Sequence, residues 1–258
     1  MSSPAIFVTG AAAGIGRATA LLFASRGWRV GLYDIDHEAV ERLRVELGAN
    51  TVCGRLDVAD AGAFAHALED FVGFSGGRLD VLFNNAGILS VGEFETIGLA
   101  RHHAIVEVNV KGVINGCHAA FPHLLRTPDS RVISMSSASA IYGAPSYATY
   151  AASKFAVKGL SEALDIEWQR HGIRVMDVLP LFVNTAMVTA IEQPASIARL
   201  GVRLQPGDIA QTVWDAAHWR GWRRVHWYPG LQTRLLALSN KLLPARLNRY
   251  ATRKVSGY

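Results

Sequence analysis

Cysteine is scarce in this 258-residue chain, and the spacings that hold metals or disulfides are missing. Cys53 and Cys117 fall in a strand-like and a helix-like segment, far apart, and read as two buried thiols rather than a disulfide or zinc framework. The nine histidines include no His-Glu-x-x-His or comparable ligand pattern, so no metal is expected. No run of about 18 uninterrupted apolar residues is available for a membrane span. The first apolar run, Ala5–Val8, is too short for a signal peptide and lacks a basic leader, so the expected location is cytoplasmic. Charged residues are few enough (18%) and hydrophobic ones common enough (50%) to exclude a disordered chain. Acidic residues stop at Asp215, after which nine Lys and Arg follow. The net charge of +5 therefore divides into −4 before that point and +9 after it. A basic tail without a reading module does not make a nucleic-acid binder, and no such partner is expected.

Apolar runs alternate with helical patterns from the start. That is the signature of a doubly wound α/β fold: a mainly parallel sheet, helices on both faces, one Rossmann-like domain over residues 1–258. Strands are predicted at Ala5–Thr9, Arg29–Tyr33, Thr51–Leu56, from Val81–Phe83, from Val132–Ile133, at Ile173–Leu179 and at Val225–Tyr228. Helices are predicted at Ile15–Arg26, His37–Leu47, Ala61–Val72, about Leu99–Leu125, Tyr150–Gln169 and Asp208–Trp219. In the fifth of these, Phe155, Leu160, Leu164 and Trp168 are spaced to share one stripe. Residues 184–205 show no clean periodicity.

The turn Thr9-Gly10-Ala11-Ala12-Ala13-Gly14-Ile15-Gly16 lies where the first strand enters the first helix. Backbone N–H groups and the helix dipole can meet a pyrophosphate there, although a glycine-rich turn can also be no more than a tight corner. Asp34, 24 residues after Gly10, ends the second strand. A carboxylate there can accept from the adenosine ribose hydroxyls and repel a 2′-phosphate, which favours NAD over NADP. Ala13 and Ile35 leave two phosphate-binding places neutral, and Arg17 is the one nearby guanidinium. In Tyr150-Ala-Ala-Ser-Lys154 the two end residues share a helix face. The Lys154 ammonium is thus expected near the Tyr150 phenol, lowering a pKa that is ordinarily about 10 and fitting tyrosine for acid–base work. Alone, the pentapeptide is equally an ordinary surface pair.

Context changes that balance. Thr9–Gly16, Asn84-Asn85-Ala86-Gly87, Ser136-Ser137 and Tyr150–Lys154, in this order and at these separations, resemble the short-chain dehydrogenase/reductase family over about residues 5–185. The family's Ser, 13 residues before its Tyr, falls on Ser137, and its Asn, 41 before, on Asn109. The resemblance implies that Ser137 bonds the substrate oxygen, Tyr150 exchanges its proton, and Lys154 also holds the nicotinamide ribose. Asn109 would fix a water leading from Lys154 to solvent. It further implies cofactor contacts from Gly10, Ala13, Gly14, Ile15, Gly16, Asp34, Asp57, Val58, Asn85, Ala86, Gly87, Pro180, Val183 and Thr185, with Asn85 and Gly87 mainly structural. Leu181 stands where the family usually has Gly. Residues 186–205 would form a lid, and their apolar content argues for an apolar secondary alcohol or ketone, steroid-, retinoid- or fatty-chain-like. A homodimer or homotetramer is the family's habit.

Residues 230–258 form a basic amphipathic extension in which Leu231, Leu235, Leu238 and Leu242 share a helical face. This face could pair with another subunit, rest weakly on a membrane surface, or cover a hydrophobic substrate. The alternatives to an enzyme are a catalytically silent nucleotide-binding regulator and a peripheral membrane protein. Both Tyr150 and Lys154 are retained, which weighs against the first.

Overall fold

The computed structural model describes residues 3–189 and 195–258. Seven strands, β1 (Ala5–Thr9), β2 (Arg29–Asp34), β3 (Thr51–Arg55), β4 (Val81–Asn84), β5 (Arg131–Met135), β6 (Arg174–Val178) and β7 (His226–Trp227), form one parallel sheet in the order β3-β2-β1-β4-β5-β6-β7. All five residues of β1 and all four of β4 are buried, because helices cover both faces of the sheet. Period-two alternation divides the core. Ile6 and Val8 join Phe23, Leu32 and Ile209 on one face, while Ala5 and Phe7 join Phe64, Leu82 and Val132 on the other.

The first face is covered by α1 (Gly14–Ser25), α2 (His37–Leu47) and α9 (Pro206–His218), the second by α3 (Ala61–Phe74), α5 (Gly112–Leu124) and α6 (Ala148–Glu167). Helix starts are written locally. The Asp36 and Asp60 side chains accept from Ala39 and Ala63 N–H to open α2 and α3, and Asp208 accepts from Gln205 N–H with Pro206 at the first position of α9.

Three expectations are refined. The helical stretch from Leu99 runs unbroken to Leu124 but is not α throughout: α4 (Leu99–Val106) continues into α5 through a π-helical turn at Glu107–Lys111 that carries the buried Asn109. Of the expected α6 stripe, Leu160, Leu164 and Trp168 pack on the second core face, but Phe155 is exposed. The buried residues of α6 are Ala151, Ser153, Lys154, Val157, Ser161 and Asp165, because the first turns of its inward side carry the polar site. The stretch 184–205 contains α7 (Ala186–Thr189) and α8 (Ala195–Leu200); residues 190–194 of the expected lid lie outside the described residues. After β7 come α10 (Leu231–Leu242) and α11 (Ala245–Ser256).

Candidate active site

Chain order reverses between β1 and β4, and the crevice at their carboxyl ends is the place where such sheets receive ligands. Its floor is the Thr9–Gly16 turn. Gly10 (φ 66°) and Gly14 (φ 53°) are left-handed, and a Cβ on Gly10 would come within 2.8 Å of the Asn85 side chain. Asn85 Nδ2 donates to the Thr9 and Gly10 carbonyls at 2.9 and 3.1 Å, while Thr9 Oγ1 accepts from the Asn85 and Ala86 N–H groups. These bonds clamp the loop after β4 against the glycine turn. Ala13, the N-cap of α1, has no side chain able to cap, so the first-turn N–H groups keep their affinity for an anion.

Asp34 faces the same crevice. Its Oδ2 accepts from Ala12 N–H at 3.0 Å and its Oδ1 from Asp36 N–H at 3.1 Å, which fixes the carboxylate at the rim. Arg17, the nearby cation, is paired with Glu46 at 2.7 Å.

Further in stand the polar groups of β5 and α6. Lys154 is only 4% exposed; its Nζ donates to the Met135 carbonyl at 2.8 Å and lies 5.6 Å from the centre of the Tyr150 ring. Ser136 Oγ donates to the Lys154 carbonyl, and Ser137 Oγ accepts from Ser139 N–H. Burial pushes the Lys154 ammonium down to about 8 and the Tyr150 phenol up to about 12, the Ser137 hydroxyl opposing the latter. The expected lowering of the phenol by Lys154 is therefore not found: desolvation exceeds any charge effect, and the ammonium is engaged at Met135.

Asn109 sits behind this group. Its Oδ1 accepts from Ile88 N–H at 2.8 Å, and its Nδ2 donates to the Ile88 carbonyl and to Ser153 Oγ. The side chain thus holds the loop after β4 against α6.

The crevice brings together Gly10, Ala13, Gly14, Ile15, Asp34, Asn85, Ala86, Gly87, Ser137, Tyr150, Lys154, Pro180, Val183 and Thr185. It does not include Gly16, Asp57, Val58 or Asn109. Gly16 serves packing, since a Cβ there would lie 2.0 Å from the Gly10 carbonyl oxygen. Asp57 accepts from Ala59 N–H in its own turn, and Val58 packs against Gly112 while its carbonyl accepts from Asn115. Met135, Ser136 and Leu181 also line the crevice. Ser136 belongs to the Ser136-Ser137 pair that the sequence marks after β5, whereas Met135 gave no signal and Leu181 none beyond departing from the family pattern.

A second, largely apolar cavity adjoins the first. Leu89, Ala138, Tyr142 and Tyr147 form part of its wall, and α10, α11 and the turn between them close it with Leu236, Leu243, Ala251 and Val255. Ser137, Tyr150, Leu181, Met187 and Val188 line both cavities. Two hydroxyls thus stand at the junction of a nucleotide-type crevice and an apolar chamber, an arrangement suited to hydride-transfer chemistry at an alcohol or carbonyl.

Residues 4–196 match the short chain dehydrogenase family, and the chain belongs to it. A D-threitol dehydrogenase of Mycolicibacterium smegmatis is 34% identical over 183 residues, 70% of either chain. A cyclohexanol dehydrogenase of Acinetobacter sp. is 31% identical over 215 residues, 80% of this chain and 84% of the other. Among solved structures, a short chain dehydrogenase/reductase of Burkholderia phymatum in complex with NAD superposes with a TM-score of 0.81 at 25% identity, covering 93% of this chain and 95% of that one. The fold is accordingly the Rossmann-like fold of that family, whose members are oxidoreductases.

Proposed function

We propose that this protein is an NAD(H)-dependent oxidoreductase that interconverts an apolar secondary alcohol and its ketone. The observation that carries the reading is the shared wall: Ser137 and Tyr150 line both the crevice and the apolar chamber, so one substrate oxygen can meet both hydroxyls while its carbon faces the crevice. The crevice fits a dinucleotide through the uncapped start of α1 and the carboxylate rim at Asp34. The preference for NAD rests on Asp34 and on Arg17 being paired with Glu46. The Burkholderia phymatum relative, solved with NAD, supports it.

When bound, the nicotinamide supplies or accepts the hydride. The protein's own part is proton handling and charge placement. In the reductive direction Tyr150, neutral at physiological pH, gives its phenolic proton to the oxygen that gains charge. Ser137 donates a hydrogen bond to the same oxygen, stabilising the transition state more than the ground state. Lys154 uses one of its three donors on Met135, leaving two for the ribose hydroxyls of a bound nicotinamide nucleotide. Asn109 is a positioning residue, keeping Gly87 and Ile88 beside Lys154. Leu181 helps divide the chambers and, with Met187 and Val188, gives the substrate side an apolar wall. The two named relatives act on a polyol and on a cyclic alcohol; the apolar lining here favours the second type.

Titration with NADH and NADPH followed by fluorescence, then initial rates with cyclic and long-chain secondary alcohols against polyols, tests the reading. Tighter NADH binding with turnover of the apolar set is expected. Binding of neither cofactor sinks the enzymatic reading, and preference for polyols sinks the substrate class.

A further inference from the structure

The face of α10 that the leucine spacing marks out is turned to solvent. Leu231, Leu235, Leu238 and Leu242 are 71%, 55%, 53% and 72% exposed, while Thr233 and Ala237 on the opposite side are buried. The next helix also exposes apolar residues. Leu247 and Tyr250 of α11 are 52% and 66% exposed, and Arg246, Arg249, Arg253 and Lys254 are exposed around them. With Arg234 and Lys241 on α10, the two helices carry six cations and no acidic residue. A contiguous exposed apolar strip is uncommon on a soluble surface and marks a place of contact.

We propose that α10 and α11 together dock on an anionic phospholipid bilayer, lying in its interface with the leucines in the acyl boundary and the cations at the headgroups. Charge decides between this and a second copy of the chain. A two-fold contact through this face would press six cations against their own duplicates, with no anion on the segment to offset them. A bilayer bearing phosphates supplies both the apolar layer and the opposite charge. Spanning is excluded by length. The 12 residues of α10 extend about 18 Å against a hydrocarbon core of about 30 Å, and among the described residues no helix is long and apolar enough to cross.

The inner faces of the same helices wall the chamber beside Tyr150, through Leu236 and Asn240 of α10, Leu243 just after it, and Asn248, Ala251 and Val255 of α11. Arg199 of α8, within the expected lid, also donates to the Lys254 carbonyl. Docking would therefore place the substrate chamber directly under the lipid surface, so that an apolar alcohol or ketone dissolved in the bilayer reaches it without crossing water. This delivery role rests on the proposed function; the docking itself does not.

The test is cosedimentation of the full chain with vesicles of phosphatidylcholine, alone or mixed with phosphatidylglycerol, compared with Leu235→Asp/Leu238→Asp and Arg246→Glu/Arg249→Glu. None of these four residues lines either cavity, and NADH binding and circular dichroism report whether each variant is folded. The wild type should sediment with the anionic vesicles, not with phosphatidylcholine alone, and release at high salt. Partitioning should fall by at least roughly fivefold for each Arg replaced by Glu at low salt, and by at least about tenfold in the leucine variant. Equal recovery of folded leucine variant and wild type, or no binding of the wild type to anionic vesicles, overturns the proposal. Absent vesicle binding together with a smaller particle for the leucine variant in light scattering would assign the face to a subunit contact instead. Vesicle binding without dehydrogenase activity would leave the docking standing and remove the functional reading above.

Discussion

Lys154 Nζ donates to the Met135 carbonyl oxygen at 2.8 Å, which ties the ammonium to the end of β5 rather than to the Tyr150 phenol four residues back on the same helix. Both groups consequently answer chiefly to burial, the lysine held at about 8 and the tyrosine at about 12. Each has a measurable consequence.

A phenol raised to about 12 is protonated throughout the neutral range and can give a proton, whereas it must be ionised to take one. Alcohol oxidation should therefore climb with pH by about tenfold per unit from pH 6 to 9, while ketone reduction stays flat. Initial rates in both directions decide this, and an oxidation rate that levels off below pH 8 would contradict it. Tyr150→Phe should retain NADH binding and lose turnover in both directions.

For Lys154, the folded pKa of about 8 lies below the ordinary 10.5, so the unfolded chain binds more protons between those values. Stability should rise with pH across that window, and below about pH 8 the full penalty applies, on the order of 3 kcal/mol. Lys154→Met should be inactive yet more stable at pH 7 by about 1–3 kcal/mol. Urea melts at pH 7 and pH 10 read both effects; a less stable variant at pH 7 would show that Met135 holds the charge without net cost.

Asp34→Ala removes the acceptor for Ala12 and Asp36 N–H along with the carboxylate at the rim. The ratio of NADPH to NADH affinity should move by about tenfold towards NADPH, or about 1.4 kcal/mol. An unchanged ratio would place cofactor selection elsewhere.

Gly16→Ala separates packing from phosphate binding. Its Cβ would sit 2.0 Å from the Gly10 carbonyl oxygen and 2.7 Å from Asn85 Nδ2, so the glycine turn must shift. Thermal unfolding should fall by roughly 1–3 kcal/mol or more, with weaker NADH binding as a result. A stable variant with weakened NADH binding would return Gly16 to the cofactor site.

Much of the site was legible because its parts are local. The turn at Gly10–Gly16 must follow a strand and open a helix, and Tyr150 and Lys154 must share a face of α6 at any tertiary arrangement. At Asp57 and Val58, placed by resemblance, the structure adds local roles: the Asp57 carboxylate accepts from Ala59 N–H within the turn and Val58 packs on α5. Asn109 was placed only by the family resemblance, and the π-turn that carries it had no signal in the sequence, since its side chain bonds there to Ile88, which is distant along the chain.

Apolar runs, caps and periodicities, set by nearest neighbours along the chain, determined the order of strands and helices, the glycine turn and the placing of Tyr150 on a helix with Lys154. Only the tertiary structure decided which carbonyl the buried lysine meets, which face of α6 turns inward, and that α10 and α11 wall the chamber with one side while leaving four leucines in solvent on the other. Those outcomes depend on desolvation and on contacts between segments up to about a hundred residues apart, such as Asn240 with the Ile141 carbonyl, for which periodicity along one segment carries no information.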